Sequence, residues 1–355
     1  MRLSRLIPVT ILIVLLFALV GCTALPQATA VPNDTATETT PDAEQPESLI
    51  PIKVAVAPYL SYAAFYIALE EGYFEQEGIA IEIAQIARSS MAIPALLQGE
   101  VDALGTNLST AILNAIARDG NAKIVASTAQ QLTGQCIYTG VIIRKGLLDA
   151  TDGVLLPEQL PELRFNASPA TLNEYMLNSL LQQYGLSYDE VTLLDLPGSS
   201  QIVEPLSAGT LDIAVATEPW LTRAEAEGIG TAWMSGADIL GDIQTSVFVF
   251  GPNLLQTNQD AGERFIRGYL QGVKQLQDGK TPRNLEILQK YYEMDMATLE
   301  TLCLPSVPTD GKILVDGVLG FISWAVERDY IDRALTSEEF WEPAFVDAAA
   351  AGNTP

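Results

Sequence analysis

The sequence predicts an α/β fold of two lobes, each a mostly parallel sheet flanked by helices, joined by a hinge of two crossings. Three observations predict it. Short β-rich runs alternate with helical segments from about residue 50, the signature of parallel α/β units. That rhythm pauses near Gly140 and starts again at Arg164. A further strong β run, Ser246-Val247-Phe248-Val249-Phe250, then returns the chain before it turns mostly helical from Asp260.

Taken in order, Lys53 to Pro58 reads as a buried strand, followed by a helix from Ser61, a candidate N-cap, to Glu71. Gly72 then sits where a left-handed cap suits it. Ile79 to Gln85 is a strand, Ser90 to Gln98 a helix, and Val101 to Thr106 a third strand. Leu108 to Arg118 reads as helix and Lys123 to Ala129 as strand. The second set runs strand (Arg164 to Ala167), helix (Thr171 to Tyr184), strand (Val191 to Leu196), helix (Ser200 to Ala208), strand (Ile213 to Thr217). Between the sets, Val141-Ile142-Ile143-Arg144 is extended. The division this gives is residues 50–142 plus 246–355 for one lobe and 143–245 for the other, with the helical tail packed back on the first.

The N-terminus sets the compartment. Arg2 and Arg5 precede an apolar run, Ile7 to Val20, that is short for a spanning helix and right for a signal-peptide core. The tetrapeptide Leu19-Val20-Gly21-Cys22 resembles a bacterial lipobox, which implies acylation of Cys22 and a leader of residues 1–22. Residues 23–49 are rich in Thr, Pro, Ala, Asp and Glu and should form a disordered tether, reaching on the order of 30 Å. The localisation expected is the extracytoplasmic face of the cell membrane, held by lipid.

Composition excludes several functions. Removing Arg2 and Arg5 leaves 17 basic against 44 acidic residues, a net charge of −27 that argues against nucleic acid or an anionic membrane surface as partner. The chain has no histidine, which removes Ser-His-Asp and Cys-His nucleophile schemes and histidine zinc sites. No metal, no cofactor and no catalysis are expected. Beyond Cys22 only Cys136 and Cys303 remain; a bridge and two buried thiols are both open.

The segment from Ala63 to Ile79, AAFYIALEEGYFEQEGI, resembles the opening signature of the solute-binding family that serves importers of nitrate, sulfonates, taurine, thiamine pyrimidine precursors and riboflavin. ALLQGEVDA from Ala95, LSAGTLDIA from Leu206 followed by Glu218-Pro219, and Ala344-Phe345-Val346-Asp347 agree with it in order. The resemblance implies a type II periplasmic-binding-protein fold and an extracytoplasmic subunit of an ABC importer. Its partners would be a small-molecule ligand, a permease and, through it, ATPase subunits, with the chain itself a monomer. Physically, Gly99 and Gly209 end helices, while Asp102 and Asp212 satisfy backbone donors at the turn into a strand, so those blocks report fold rather than ligand.

In open parallel sheets, ligands bind beyond the carboxyl ends of the strands. That rule selects Tyr59 after the first strand, with Tyr62 and Tyr66 four apart on the following helix. It adds Thr106 and Asn107 after the third, Ser168 and Thr171 in the second lobe, and Glu218 and Trp220 beyond the last. Tyr66 has a second reading as core, and Ser168 and Thr171 a second reading as helix caps. Aromatic faces with hydroxyl, amide and one carboxylate suit a planar polar molecule, riboflavin or a thiamine pyrimidine precursor. The alternative is an aliphatic sulfonate, taurine or nitrate. It is disfavoured because Pro169 removes a backbone donor, no glycine lies between Asn166 and Glu174, and Arg88 is the nearest cation. The family relatives that make the thiamine pyrimidine consume an active-site histidine and carry a cysteine-rich motif, and this chain has neither; carboxylate or lysine chemistry is not removed by the missing histidine.

Overall fold

The ten strands of the described chain divide into two five-stranded sheets because β-branched and aromatic runs recur between helices that cover their faces. The structure, a computed structural model, describes residues 49–86, 88–147, 157–196, 198–292 and 294–352. The leader, Cys22 and the tether to residue 48 lie outside the described residues. Among the described residues no helix is long and apolar enough to cross a membrane.

The first sheet contains β1 (Ile50–Val56), β2 (Ile79–Gln85), β3 (Ala103–Asn107) and β4 (Lys123–Gln131). The second contains β5 (Thr139–Arg144), β6 (Arg164–Asn166), β7 (Thr192–Leu193), β8 (Ile213–Thr217) and β9 (Gly230–Ser235). β10 (Ile243–Phe250) returns to the first. Strand order is β2-β1-β3-β10-β4 in one and β7-β6-β8-β5-β9 in the other. In each sheet four strands run parallel and one, β10 or β5, runs antiparallel between two of them. The mixed α/β class expected from the sequence is therefore what the chain forms. β9 was not foreseen: Gly230-Thr231-Ala232-Trp233-Met234-Ser235 has no clean period-2 apolar face, and its pairing with β5 supplies the order.

Helices α1 (Ala63–Glu70), α2 (Tyr73–Gln76), α3 (Ile93–Leu97) and α4 (Thr110–Asp119) accompany the first sheet. With the second lie α5 (Leu172–Gln183), α6 (Val203–Ser207), α7 (Trp220–Ala226) and α8 (Gly236–Leu240). The tail is α9 (Gln259–Leu276), α10 (Pro282–Tyr292), α11 (Met296–Thr301), α12 (Val315–Glu327), α13 (Ser337–Phe340) and α14 (Ala344–Gly352). Ser61 does not cap α1; it sits inside a 3-10 turn, Leu60–Tyr62, that precedes the helix. Gly72 adopts the expected left-handed conformation, at φ +70°.

β10 alternates between two cores, as the pleat demands. Phe248 and Phe250 face the aromatic cluster of Phe65, Phe265 and Tyr269, while Val247 and Val249 face the opposite way. α9 covers the aromatic face, and Gly272 lets it approach so closely that a Cβ there would overlap the Ala64 carbonyl. The tail thus packs on the first sheet through α9. α12 differs, since its apolar side, Val318, Phe321 and Ile322, joins a core that also includes Met176 and Leu177 of α5. Cys136 and Cys303 form a disulfide, tying the β4–β5 crossing to the tail.

The repeated glycine and aspartate turns do the same job twice. Gly99 and Gly209 take φ of +71° and +67°. Asp102 then accepts from the Lys53 N–H of β1 at 2.7 Å, and Asp212 from the Arg164 N–H of β6 at 3.0 Å. Asp212 is nearly fully buried and also pairs with the Arg164 and Arg144 guanidiniums at 2.8 and 3.0 Å. Burial alone would raise its pKa, but these bonds outweigh burial and hold the carboxyl below its usual value.

A depressed folded-state pKa stabilises the native chain above the unfolded carboxyl value of about 3.9, and that share is lost as pH falls through the folded value. We expect Asp212→Asn to cost roughly 2 kcal/mol at neutral pH, the estimate tempered because both arginines are about a third exposed. Urea midpoints measured from pH 7 to pH 3 should converge between wild type and variant as pH drops; a constant gap would contradict this account.

Candidate ligand-binding site

Six strand ends, three from each sheet, open on one cavity of about 1150 Å³. Pro58-Tyr59 follow β1, Arg88-Ser89-Ser90 follow β2, and Asn107 to Ser109 end and follow β3. From the second sheet come Ser168 to Asn173 after β6, Gly198-Ser199-Ser200 after β7, and Glu218-Pro219-Trp220 after β8. Tyr138 of the β4–β5 crossing and Thr139 of β5, with Tyr292 and Asp295 of the tail, also line the wall. Parallel strands cause this convergence, because each hands the chain to a helix start on the same edge.

Of the residues selected from the sequence, Tyr59, Asn107, Ser168, Thr171, Glu218 and Trp220 line the cavity. Tyr62, Tyr66 and Thr106 do not. Tyr62 is fully buried, and its hydroxyl accepts from Ser246 Oγ at 3.3 Å. Tyr66 stacks on Tyr291 at 4.1 Å between ring centroids, in the core under the tail. Burial there pushes its phenol up to about 12. Thr106 is buried and donates to Ser89 Oγ at 3.0 Å, so it backs a lining residue rather than lining. Thr171 both faces the cavity and caps α5, accepting from the Asn173 N–H at 3.2 Å.

The sequence reasoning missed Ser199, Ser200, Ser89, Ser90, Tyr138, Tyr292 and Arg223. Applying the strand-end rule to every strand would have found the first four. Arg223 lies one turn past Trp220 and its guanidinium sits 5.6 Å from that ring's centroid.

The charges of the wall differ in how they are engaged. Arg223 pairs with Glu227 at 2.7 Å, and Asp295 caps α11 by accepting from Thr298. Arg88 has no carboxylate partner among the described residues, and its charge opposes the effect of burial, which raises the Tyr59 phenol. Glu218 is buried and takes three donors: Thr222 N–H at 3.0 Å, Thr222 Oγ at 2.6 Å and Cys303 N–H at 3.1 Å. It therefore already holds the partners a strand-end carboxylate needs, and it braces the second sheet against the disulfide-linked tail. Burial dominates these bonds and raises its pKa.

Two α/β sheets whose strand ends share one cavity recur in solved binding proteins and in an enzyme. The ligand-binding component of an ABC-type import system from Staphylococcus aureus, solved with zinc bound, superposes with a TM-score of 0.69 at 16% identity, covering 84% of this chain and 99% of that one. The nitrate-binding protein NrtA of Synechocystis PCC 6803 gives 0.67 at 12% identity, covering 86% and 90%. The desulfurization enzyme DszB shares the fold too, with a TM-score of 0.59 at 13% identity over 86% of this chain and 100% of that one. In sequence, residues 44–288 match the NMT1-like family, and the chain belongs to that family. YtlA of Bacillus subtilis (strain 168), provisionally named a binding protein, is 24% identical over 225 residues, 63% of this chain. The match spans 65% of the length of that relative.

The raised carboxyl of Glu218 gives a pH test of opposite sign to that of Asp212. Its contribution is complete below the unfolded value of about 4.3 and is lost as pH rises through the folded value. We expect Glu218→Gln, compared with wild type by urea unfolding from pH 4 to pH 8, to gain relative stability as pH rises. A difference independent of pH would show that burial does not govern this carboxyl.

Proposed function

We propose that the chain is the extracytoplasmic solute-binding subunit of an ABC importer, anchored through acylated Cys22, and that its cavity takes a small planar polar organic solute. The observation that carries this reading is the pair of aromatic rings, Tyr59 after β1 and the half-buried Trp220 after β8, in the wall of one cavity lined by polar side chains. Such faces grip a ring, while Asn107, Ser109, Ser168 and Ser199 offer hydrogen bonds at its edge. Riboflavin or a thiamine pyrimidine precursor fits that chemistry. Residues 50–142 plus 246–355 would act as one lobe and 143–245 as the other, closing on solute because solute touches both. The closed form would dock on a permease and, through it, its ATPase subunits, with the chain itself monomeric.

Catalysis is not proposed, although DszB shows that the fold accommodates it. No histidine is available as general base, and Glu218, the buried carboxylate of the wall, is committed to three donors. A second reading, a sulfonate, taurine or nitrate, is favoured by one observation: Arg88 faces the cavity without a carboxylate partner among the described residues. Serines 89, 90, 199 and 200 would add donors to such an anion.

Titration calorimetry of the full chain with riboflavin, a hydroxymethylpyrimidine, alkanesulfonates, taurine and nitrate separates these readings. We expect saturable binding of a heterocycle, weakened about 10- to 100-fold by Trp220→Ala and little by Arg88→Ala. Binding of sulfonate or nitrate alone, abolished by Arg88→Ala, would establish the second reading, and heat from none of them would count against solute capture. Labelled palmitate should be incorporated in the producing bacterium and lost in Cys22→Ala; equal labelling of the two would remove the anchor.

A further inference from the structure

The turn from Ser168 to Thr171 is held by a closed circuit of hydrogen bonds drawn from three parts of the chain. Thr110, the first residue of α4, donates its N–H and its hydroxyl to the Ala170 carbonyl at 3.1 and 3.2 Å. The Ala170 N–H donates to Glu174 Oε2 at 2.6 Å. The Tyr330 hydroxyl, just beyond α12, donates to Glu174 Oε1 at 2.9 Å. The Tyr330 carbonyl in turn accepts from Asn114 Nδ2 at 2.7 Å. Asn114 lies one turn along α4 from Thr110, so the circuit begins and ends on the same helix. A β-bridge between Ser109 and Thr171 runs alongside it.

Three features make this more than incidental polar contact. Glu174 is only 4% exposed, with Arg328 3.4 Å from its Oε1, so both its oxygens are used inside the protein. Ala170 lies at φ +55°, a left-handed conformation that a side-chain-bearing residue keeps only when its surroundings over-determine it. Ser109 makes no side-chain cap on α4, and the first N–H of that helix is satisfied instead by a carbonyl from the other sheet's side.

The geometry points to Glu174 as a positioning residue for the binding wall. Its carboxylate holds the Ser168–Thr171 turn against α4 and so bolts the two sheets together along the α4–α5 edge. The wall formed by Ser168 and Thr171 is thereby preset before solute arrives. A carboxamide keeps one acceptor for the Ala170 N–H, but it meets the Tyr330 hydroxyl only as a donor and loses the charge that faces Arg328. The inference rests on this cavity being the solute site, but its test uses no solute, so the two can fail separately.

Amide hydrogen exchange on the solute-free full chain, resolved at Thr110 and Ala170, compares wild type with Glu174→Gln and Tyr330→Phe, using the amides of β4 as reference. We expect exchange at Thr110 and Ala170 to quicken about tenfold or more in both variants while β4 is unchanged. Unaltered exchange at Thr110 would mean that the edge is held without Glu174. Equal quickening in β4 would reduce Glu174 to a general stabiliser. Should Glu174→Gln not fold, Tyr330→Phe, which removes a single hydroxyl, decides alone.

Discussion

The fold depends on the double pairing of β10. Its eight residues are all buried, and it bonds antiparallel to β3 on one edge and to β4 on the other. Without it the first sheet would split into two fragments with open edges. The cost is a strand with no solvent face, so its polar members need partners. Gln244 meets that need by donating to the Ser127 hydroxyl and accepting from Gln130 and from the Leu314 N–H. This polar knot sits where the register shifts, beside the crossing that leaves for the second sheet.

The second sheet repeats the arrangement with β5 in the role of β10, and its helix starts therefore face those of the first. The cavity is thus a product of topology, while its chemistry is a product of loop sequence. Short loops bring hydroxyls and aromatic rings, and two arginines reach the wall of a chain that is otherwise strongly acidic. One of them is neutralised by Glu227 and stacked on Trp220. The other, Arg88, has no carboxylate partner among the described residues.

What was legible in the sequence follows from what is local. The spans of β2 and β8 were legible to the residue, since each is a run rich in branched aliphatics closed by a helix start or a turn. The Gly-to-Asp turns were legible because φ above zero and a short carboxylate have local causes. The strand-end rule found Tyr59, Asn107, Ser168, Thr171, Glu218 and Trp220, but Gly198 to Ser200 were left out although the strand before them, read at Val191 to Leu196, was visible; only Thr192–Leu193 of that run pairs in the sheet. Tyr62 and Tyr66 show the limit of spacing. An interval of four puts two rings on one helix face without saying whether that face meets solvent or α9 and α10. Tyr291 and Tyr292, far along the chain, decide it.

The register of β10 carries a consequence for protein engineering. Ile243 and Gln131 are paired directly across adjacent antiparallel strands. They stand where the two arms of a β-hairpin would meet, so the entire second sheet is an insertion at the tip of a hairpin whose arms are β4 and β10. A two-residue turn of the Asn-Gly kind would span that gap. Excision there would leave the first sheet's hydrogen-bond ladder uncut, while Cys303 would lose Cys136 and α12 would lose its cover from α5. A minimal single-sheet version would therefore need new residues on α12 and not a new backbone.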